Sequence, residues 1–497
     1  GEGCAPLEAW SAKNPIFVIA QVYLNGVSAG EAYLSEVGSQ VYAVGTNGYD
    51  ITEDVKSRLA ARGDQMITNQ DIPVPTWFVN YDAADHSLQY WKTANDCSPS
   101  GTQNADYGTV YVQAGDSDAW QTQYAGPISK VAVDSRQSLS GREIHDFLTC
   151  YTRYDNTSAY GNALMLRGDY TDVIVNAHKS PDRYAEQKVT MPDGATATMI
   201  CTIVDIEGEP REILFYIPDN ASELQPDGAP VITAWAGGSQ TNIIFFDSTC
   251  WWETANQNGI ALIFTNEAYN TSVAVTPADV DACYHAMLDL LEGWNDSGKF
   301  QFDLSRIYST GQSMGSMESQ QFAQETPDYY AAVASTSFYQ DYPDAHSDKP
   351  IPTYLINGEG NGKDDTGTPY DDRWNRTDDW AQYFLRVNGF VYTPAVYAAD
   401  GTVTTFGVPV SEPVFTVTGP YDRFETYTWI NGQDIPLVQY TNSLYRPHNC
   451  LTSEIPMLWD FLEHYRCERD EDGAVTARYY SASAFERDDQ VLIQFGA

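Results

Sequence analysis

The pentapeptide GQSMG at Gly311–Gly315 places a serine between two glycines. It follows Arg306–Thr310, a run typical of a short strand, and precedes Ser316–Gln324, which can form a helix. A serine in this pattern can act as a nucleophile on a tight strand-to-helix turn, where larger neighbouring side chains would clash. The same turn directs the next backbone N–H toward the oxygen of a reacting carbonyl. The stretch therefore predicts Ser313 as a nucleophile in acyl transfer and the Met314 N–H as one donor to the oxyanion.

A serine hydroxyl is a poor nucleophile until a base takes its proton. Three histidines follow Ser313, namely His346, His448 and His464. We predict His448 as the base, because it follows the strand-like run Pro436–Tyr440 and precedes the last predicted helix. His346 precedes a predicted strand and stays an alternative, whereas His464 lies inside the last predicted helix and is interpreted as structural.

A carboxylate normally holds such a histidine in the correct tautomer and stabilises its charged form. We expect it after the predicted strand Thr353–Ile356, in the loop 357–365. Glu359, Asp364 and Asp365 are all available there, and the sequence does not choose between them.

The second oxyanion donor is expected in the small-residue segment that follows the predicted buried strand Val231–Trp235. Small side chains at Gly237, Gly238 and Ser239 let the backbone approach a substrate closely. We therefore predict Gly238 and Ser239 as the rest of the oxyanion hole. The alternative is an ordinary glycine-rich turn.

The composition excludes several classes of function. The 497 residues carry 68 acidic and 27 basic side chains, which give a net charge of −41. A nucleic-acid partner is excluded because phosphate binding needs a basic surface. No apolar run is long enough for a transmembrane helix. We find no nucleotide-binding or zinc motif and predict no cofactor and no metal; the oligomeric state stays open.

The cysteines are even in number, widely spaced and without a C-x-x-C pair. This usage favours disulfides and an oxidising compartment, with buried free thiols as the alternative. The chain begins with Gly1 and not with methionine, so we expect that a leader has been removed and that the protein is secreted or at the cell surface. The cysteines are Cys4, Cys97, Cys150, Cys201, Cys250, Cys283, Cys450 and Cys467.

The chain changes character near Lys188. Residues 1–187 contain short alternating runs separated by Gly, Asn, Asp and Ser, which predicts a β-rich domain, such as a sandwich. In residues 188–497 predicted strands and helices alternate, which predicts an α/β domain with a doubly wound, mostly parallel sheet. The range 390–427 is β-like and is interpreted as an insertion. Two strands, Ala197–Val204 and Arg211–Ile217, are predicted to pair.

With these elements placed, the C-terminal part of the chain resembles the polyhydroxybutyrate depolymerase-like esterases of the α/β-hydrolase superfamily, a group that includes feruloyl and acetyl-xylan esterases. The resemblance runs from about Lys188 to Tyr465. The matching stretches are Ala236–Thr241, Thr249–Ala255, Gly259–Ile263, Asp303–Gly315 and His448–Asn449.

The resemblance implies a secreted serine esterase that works through an acyl-enzyme on a small-molecule or polymeric ester, such as a polyester or a hydroxycinnamoyl ester. Two residues depart from the pattern of the group: Ala236 stands where a histidine usually opens the oxyanion loop, and Asn361 stands where an aspartate usually completes the triad. Two alternatives therefore stay open. One is a serine peptidase of the prolyl-oligopeptidase type, and the other is a binding protein on an impaired hydrolase fold.

Overall fold

The computed structural model describes most of the chain, and the chain forms two compact units that divide after Gly168. The predicted boundary between residues 187 and 188 falls inside a strand of the second unit. The described residues are 3–40, 68–81, 85–114, 128–154, 163–167, 170–206, 208–238, 240–265, 277–339, 346–358, 371–392, 396–397, 403–405, 414–416, 424–443 and 450–496.

The first unit contains a mixed five-stranded sheet with the order β1-β2-β5-β4-β3. Strands β1, β2 and β5 run parallel, and β3 and β4 add to them in antiparallel fashion. The strands of this unit are β1 (Gln21–Leu24), β2 (Thr76–Val79), β3 (Thr102–Asn104), β4 (Gly108–Val112), β5 (Lys130–Asp134), β6 (Tyr151–Tyr154) and β7 (Ala163–Leu166), and its helices are α1 (Cys4–Lys13), α2 (Glu31–Gly38), α3 (Asp85–Ala94) and α4 (Gly141–Leu148).

Side chains that alternate along β2 pack on both faces of this sheet. Phe78 belongs to a core with Trp91 of α3, whereas Trp77 and Val79 pack with Phe147 of α4 on the other face. Successive residues of a strand point to opposite faces, so one strand serves both cores. The expected β-rich sandwich is not confirmed, because the described part of this unit places helices beside a partly parallel sheet.

The second unit is built on an 11-stranded sheet with the order β18-β19-β20-β15-β14-β13-β11-β12-β10-β9-β8. Its strands are β8 (Tyr184–Thr190), β9 (Thr196–Ile206), β10 (Glu209–Pro218), β11 (Ala229–Trp235), β12 (Ala261–Thr265), β13 (Phe302–Gly311), β14 (Ala332–Thr336), β15 (Thr353–Gly358), β18 (Val414–Thr416), β19 (Phe424–Ile430) and β20 (Pro436–Ser443). Shorter sheets contain β16 (Val396–Tyr397) and β17 (Val403–Thr405), and β21 (Tyr465–Arg469), β22 (Val475–Tyr480) and β23 (Val491–Leu492).

The centre of the large sheet is parallel and its two edges are antiparallel. Strands β12, β11, β13, β14, β15 and β20 are joined by parallel pairs. The predicted hairpin of β9 and β10 is confirmed, with Val204 opposite Arg211. The helices of this unit are α5 (Thr171–Lys179), α6 (Ala221–Leu224), α7 (Asn242–Thr249), α8 (Trp251–Asn258), α9 (Pro277–Ser297), α10 (Met314–Glu325), α11 (Asp371–Val387) and α12 (Glu454–Leu462).

Two arginines, of which Arg478 is buried and Arg469 partly exposed, attach the β21–β22 hairpin to earlier parts of the second unit. Arg478 donates hydrogen bonds to the carbonyl oxygens of Pro350 (2.8 Å) and Tyr330 (3.2 Å). Arg469 donates to the carbonyl oxygens of Leu304 (3.0 Å) and Tyr329 (2.6 Å). A guanidinium presents several N–H donors in a fixed plane, so each arginine satisfies more than one loop carbonyl.

All eight cysteines lie in the described residues and are free thiols, so the disulfide prediction is not supported. Individual thiols contact different backbone carbonyls, for example Cys97 with Tyr111 and Cys467 with Ser305. Burial raises the pKa of Cys97 to about 12, which keeps it protonated at neutral pH. The argument for an oxidising compartment therefore loses its support from disulfides. Among the described residues, no helix has the length and apolar character needed to cross a membrane.

Candidate active site

Ser313 lies on the turn between β13 and α10. Its backbone has φ 58° and ψ −115°, a conformation that non-glycine residues rarely adopt. The turn is held on both sides: the Ser313 N–H donates to the carbonyl oxygen of Thr336 (3.3 Å), and the Ser313 carbonyl accepts from the N–H of Met317 (3.1 Å). Such strain clusters at functional sites and persists only where the surrounding structure enforces it.

Both glycines of the pentapeptide are required by close backbone contacts. A Cβ atom added at Gly311 would lie 2.2 Å from the carbonyl oxygen of Gly315. A Cβ atom added at Gly315 would lie 1.9 Å from the carbonyl oxygen of Trp235, at the end of β11. The glycines therefore let α10 begin directly against the neighbouring strands, as a nucleophile on a tight turn requires.

Met314 is the first residue of α10. The first N–H groups of a helix have no acceptor within the helix, and the dipoles of the peptide groups make this end of the helix positive. The Met314 N–H is thus placed beside Ser313 where it can stabilise a negatively charged oxygen. Its part in the oxyanion hole stays a prediction.

The segment after β11 lies against this turn. The backbone N–H of Gly237 donates to Oε1 of Gln240 (2.8 Å), and the N–H of Gln240 donates to the carbonyl oxygen of Gly237 (3.1 Å). A Cβ atom at Gly237 would lie 2.6 Å from Oε1 of Gln312, the residue before Ser313. Because the Gly237 N–H already has an acceptor, the predicted donor Gly238 is the better placed of the two glycines. Gly238 itself is exposed.

The strands of the parallel centre end at one edge of the sheet, and the predicted site residues follow those ends. Ser313 follows β13 and the Gly237 loop follows β11, whereas the predicted acids follow β15 and the predicted base follows β20. Because parallel strands have their carboxyl ends at the same edge, the ends of β11, β13, β15 and β20 share that edge. Five predicted site residues, Ser239, Glu359, Asp364, Asp365 and His448, lie outside the described residues.

His464 is committed to another part of the fold. It lies just beyond α12, and its Nδ1 is 2.7 Å from the carbonyl oxygen of Ser481. The carbonyl of the next residue, Tyr465, accepts from the hydroxyl of Tyr308 on β13 (2.6 Å). Tyr308 precedes the end of β13 at Gly311 by about 10 Å of extended strand, and Ser313 lies two residues further on. His464 therefore lies away from the nucleophile, as its structural interpretation expects.

His346 also lies away from Ser313. Its ring packs against Tyr383, with 4.1 Å between ring centroids. The N–H of the next residue, Ser347, donates to the carbonyl oxygen of Gln324 (2.9 Å). Gln324 is near the end of α10, about 16 Å along the helix from Ser313. Neither of the two described histidines that follow Ser313 is thus placed to serve as its base.

A buried glutamate near the site was missed by the sequence analysis. Glu454, the first residue of α12, is fully buried, and one of its carboxylate oxygens accepts from the hydroxyl of Thr336 (2.6 Å). Thr336 in turn accepts the N–H of Ser313 through its carbonyl. An acidic residue that opens a helix normally indicates a solvated helix start, so the local pattern offers no reason to expect this contact.

The inner face of α10 is also polar. Nε2 of Gln320 donates to the hydroxyl of Ser335 on β14 (2.6 Å), and Oε1 of Gln320 accepts from the indole N–H of Trp380 on α11 (3.0 Å). The hydroxyl of Ser316 donates to the carbonyl oxygen of Phe338 (2.6 Å). These buried hydrogen bonds fix the helix whose first residue carries the oxyanion donor.

Comparisons with known proteins give partial likenesses. No family model matches the chain, and no curated protein matches its sequence. An arylesterase structure is 16% identical over 30% of this chain and 48% of its own length, with a TM-score of 0.24. A thermostable esterase is 15% identical over 52% of this chain and 60% of its own length, with a TM-score of 0.32. The acetyl xylan esterase from Aspergillus awamori is 14% identical over 52% of this chain and 98% of its own length, with a TM-score of 0.35.

The chain thus spans about half of the arylesterase and 60% of the thermostable esterase. The TM-scores of these three esterases all lie below 0.5, so the likenesses carry no argument about the chemistry. The strand order of the large sheet and the turn at Ser313 are observed in this chain and do not depend on the comparisons. The second unit is a mixed α/β fold with a parallel centre, compatible with the α/β-hydrolase fold.

Proposed function

We propose that the chain is a serine esterase in which Ser313 is the nucleophile and His448 the general base, with Glu359, Asp364 or Asp365 as the orienting acid. The observation that carries the proposal is the backbone of Ser313. Its φ of 58° and ψ of −115° occur between a parallel strand and a helix N-terminus, and both flanking glycines have no room for a side chain. This geometry puts a serine beside the first N–H of a helix, which has no acceptor within the helix, and acyl transfer needs such a donor.

The assignment of the base rests on elimination and on topology. Of the three histidines that follow Ser313, His346 and His464 are held elsewhere. His448 follows β20, whose carboxyl end lies at the same edge of the sheet as the carboxyl end of β13. The acids are proposed on the same topological ground, because Glu359 and Asp364 follow β15.

The proposed reaction proceeds in two balanced steps. His448 takes the hydroxyl proton as Oγ of Ser313 bonds to the ester carbonyl carbon, and the N–H groups of Met314 and Gly238 bind the oxyanion. The intermediate collapses, the alcohol leaves with the proton from His448, and an acyl-enzyme remains. Water then attacks the acyl carbon, the proton passes through His448 back to Ser313, and the carboxylic acid leaves.

The test is hydrolysis of p-nitrophenyl acetate and butyrate, together with labelling by a fluorophosphonate and mass spectrometry of the labelled peptide. We expect label on Ser313 and a fall of kcat by about 10³-fold or more in Ser313→Ala and His448→Ala. Comparison of Glu359→Gln, Asp364→Asn and Asp365→Asn identifies the acid, which is the residue whose variant loses most activity. Ser297→Ala, at the exposed end of α9, is the matched control and should keep full activity.

An intact protein that neither hydrolyses these esters nor takes up the phosphonate would overturn the proposal and favour a binding protein on a hydrolase fold. Label on a serine other than Ser313 would overturn the assignment of the nucleophile. We also propose that the natural substrate is a carboxylic ester that is uncharged near the scissile bond, because a chain with a net charge of −41 disfavours anionic substrates.

A further inference from the structure

A cleft lies in the first unit, whereas Ser313 belongs to the second unit. It encloses about 750 Å³ at the carboxyl ends of the parallel strands β1, β2 and β5. Residues directly after each of these strands line it, together with residues of β3 and β4. In parallel α/β sheets this edge is where ligands bind, and the volume lies in the range of small-molecule sites. The lining residues used below are Asn80, Tyr81, Gln103, Thr109 and Asp134.

The charge of the cleft is balanced. Asp134 is 6% exposed, and its carboxylate accepts from Nε of Arg136 (2.6 Å) and from the backbone N–H of Arg136 (2.9 Å). Arg136 also donates to Glu143 (2.6 Å), so its charge is paired with two carboxylates. Among the described lining residues there is no lysine or arginine. Anions therefore find no cationic partner there, and the one carboxylate is already paired.

The polar groups that remain are amides and hydroxyls in fixed positions. Nδ2 of Asn80 donates to Oδ1 of Asn25 (2.6 Å), and Nε2 of Gln137 donates to Oδ1 of Asn80 (3.0 Å). On the opposite side, Nε2 of Gln103 donates to the hydroxyl of Thr109 (2.7 Å). Within the described part of the chain, Oε1 of Gln103 accepts no hydrogen bond and the Thr109 hydroxyl donates none. Both positions therefore stay open to a ligand that has donors and acceptors together, as hydroxyl groups do.

One wall of the cleft is a rigid aromatic ring. The ring of Tyr81 packs against Tyr23 and Phe78, with centroids 5.5 and 4.9 Å away. Its hydroxyl donates to Glu8 (3.0 Å), which is fully buried and also accepts from the indole N–H of Trp91 (2.9 Å). These contacts hold the ring without using its exposed part. A rigid ring beside oriented amides offers both an apolar surface and hydrogen bonds with little entropy lost on binding.

We propose that this cleft binds a neutral polyhydroxylated ligand, namely a saccharide, with its hydroxyl groups on Gln103 and Thr109 and a C–H face on Tyr81. A saccharide carries no charge, has hydroxyls that both donate and accept, and has apolar C–H faces. Each of these properties matches one feature of the cleft. The proposal does not depend on the reaction at Ser313.

The test is isothermal titration of the full chain, carrying Ser313→Ala to prevent turnover, with cellohexaose, xylohexaose, mannohexaose and maltohexaose, and with inorganic phosphate for comparison. We expect at least one oligosaccharide to bind and phosphate not to bind. Gln103→Ala and Thr109→Val should each weaken that binding about tenfold, which is the loss of one hydrogen bond to a ligand hydroxyl. Gln89→Ala, at a surface position of α3 in the same unit, is the matched control and should leave it unchanged.

Three results would overturn the proposal: no binding of any of the four oligosaccharides, binding that Gln103→Ala and Thr109→Val leave intact, or binding of phosphate in place of the sugars. Thermal unfolding of each variant guards against a trivial loss of fold. Thr109→Val is chosen for this reason, because valine keeps the shape and strand preference of threonine while removing the hydroxyl.

Discussion

At the scale of single residues, the nucleophile depends on backbone contacts more than on its own side chain. A non-glycine residue in a sparsely populated φ/ψ region costs about 1–3 kcal/mol. Ser313 is held there by the hydrogen bonds of its own N–H and carbonyl to Thr336 and Met317. The pentapeptide could be predicted to form such a turn because the need for Gly311 and Gly315 is local. The contacts of the turn with Trp235 and Thr336 could not be predicted, because these residues come from β11 and β14.

Gln240 illustrates the same distinction and gives a prediction. Its Oε1 accepts the N–H of Gly237 at 2.8 Å and so braces the oxyanion loop. In Gln240→Ala this N–H loses its acceptor and the loop loosens. We expect kcat for p-nitrophenyl butyrate to fall by about 10- to 100-fold with KM little changed, because an oxyanion donor acts mainly in the transition state.

Gln240→Glu is the control for that prediction, since a carboxylate still accepts the Gly237 N–H, and it should restore most of the activity lost in Gln240→Ala. Equal kcat values for Gln240→Ala and the intact protein would show that the brace does not matter. A loss of thermal stability as large as the loss of activity would instead assign Gln240 a purely structural part.

At the scale of elements, α10 shows why a helix can be predicted and its packing cannot. The sequence predicts a helix over Ser316–Gln324, and α10 contains that range. Periodicity assigns polar residues to the solvent face. In α10, however, Ser316, Ser319 and Gln320 are fully buried and bond to neighbouring elements. A polar interface of this kind becomes visible only when its partners are known.

The buried amide of Gln320 gives the second prediction. Gln320→Leu leaves the hydroxyl of Ser335 and the indole N–H of Trp380 without their partners. We expect a loss of about 2–3 kcal/mol in the free energy of unfolding of the second unit, measured by urea denaturation. Gln321→Ala is the matched control: its amide donates to Glu325 at the helix surface, and the change should stay within about 0.5 kcal/mol. Equal effects of the two substitutions would contradict the prediction.

The first unit shows a different limit, since short apolar runs predict some of its strands but none of its helices. The strand β4, for example, is Gly108–Val112, where the sequence shows an alternating apolar run. A stronger local signal was present at α4, where Ser140 and Glu143 form a reciprocal capping box at the start of the helix. The serine hydroxyl accepts the N–H of the glutamate, and the glutamate carboxylate accepts the N–H of the serine. That spacing predicts a helix start at Ser140.

At the scale of the whole molecule, the direction of the strands in the large sheet could be predicted from local sequence, but their order could not. The alternation of strands and helices after Lys188 predicts a parallel sheet, and the centre of the large sheet is parallel. The placement of β12 between β11 and β10 and the extension of the edge by β18 and β19 could not be predicted. β10 and β12 are separated in the chain by β11, and β18 and β19 are consecutive strands that no local pattern assigns to the edge of the large sheet.

Glu253 on α8 shows how folding changes the ionisation of one of the many acidic residues. Burial, with the nearby charge of Asp193, raises the pKa of Glu253 to about 7. The folded pKa thus lies above the ordinary value of 4.5, so the folded state binds a proton more readily than the unfolded state. The stability contribution is fully present below about pH 4.5 and is lost as the pH rises through about 7.

Glu253→Gln should therefore remove the loss of stability that accompanies ionisation of Glu253 as the pH rises. We expect the variant to match the intact protein near pH 4.5 and to exceed its stability at pH 8 by about 2–3 kcal/mol, measured by unfolding at both pH values. Glu223→Gln, at an exposed position of α6, serves as the control. The change that it causes in the free energy of unfolding should be the same at both pH values. An effect of Glu253→Gln that is the same at both would rule out its ionisation as the cause.

The arginines of the β21–β22 hairpin have a consequence for how the chain is made. The carbonyl oxygens of Leu304 and Tyr330 accept hydrogen bonds from Arg469 and Arg478. These bonds cannot form during synthesis until the two arginines have left the ribosome, which happens much later. At about 5–20 residues per second, the delay from one segment to the other is about 10–30 s. Through that interval the central strands are exposed without their final cover, while residues before Gly168 can already fold. The second unit is therefore where a nascent chain of this protein most needs a chaperone.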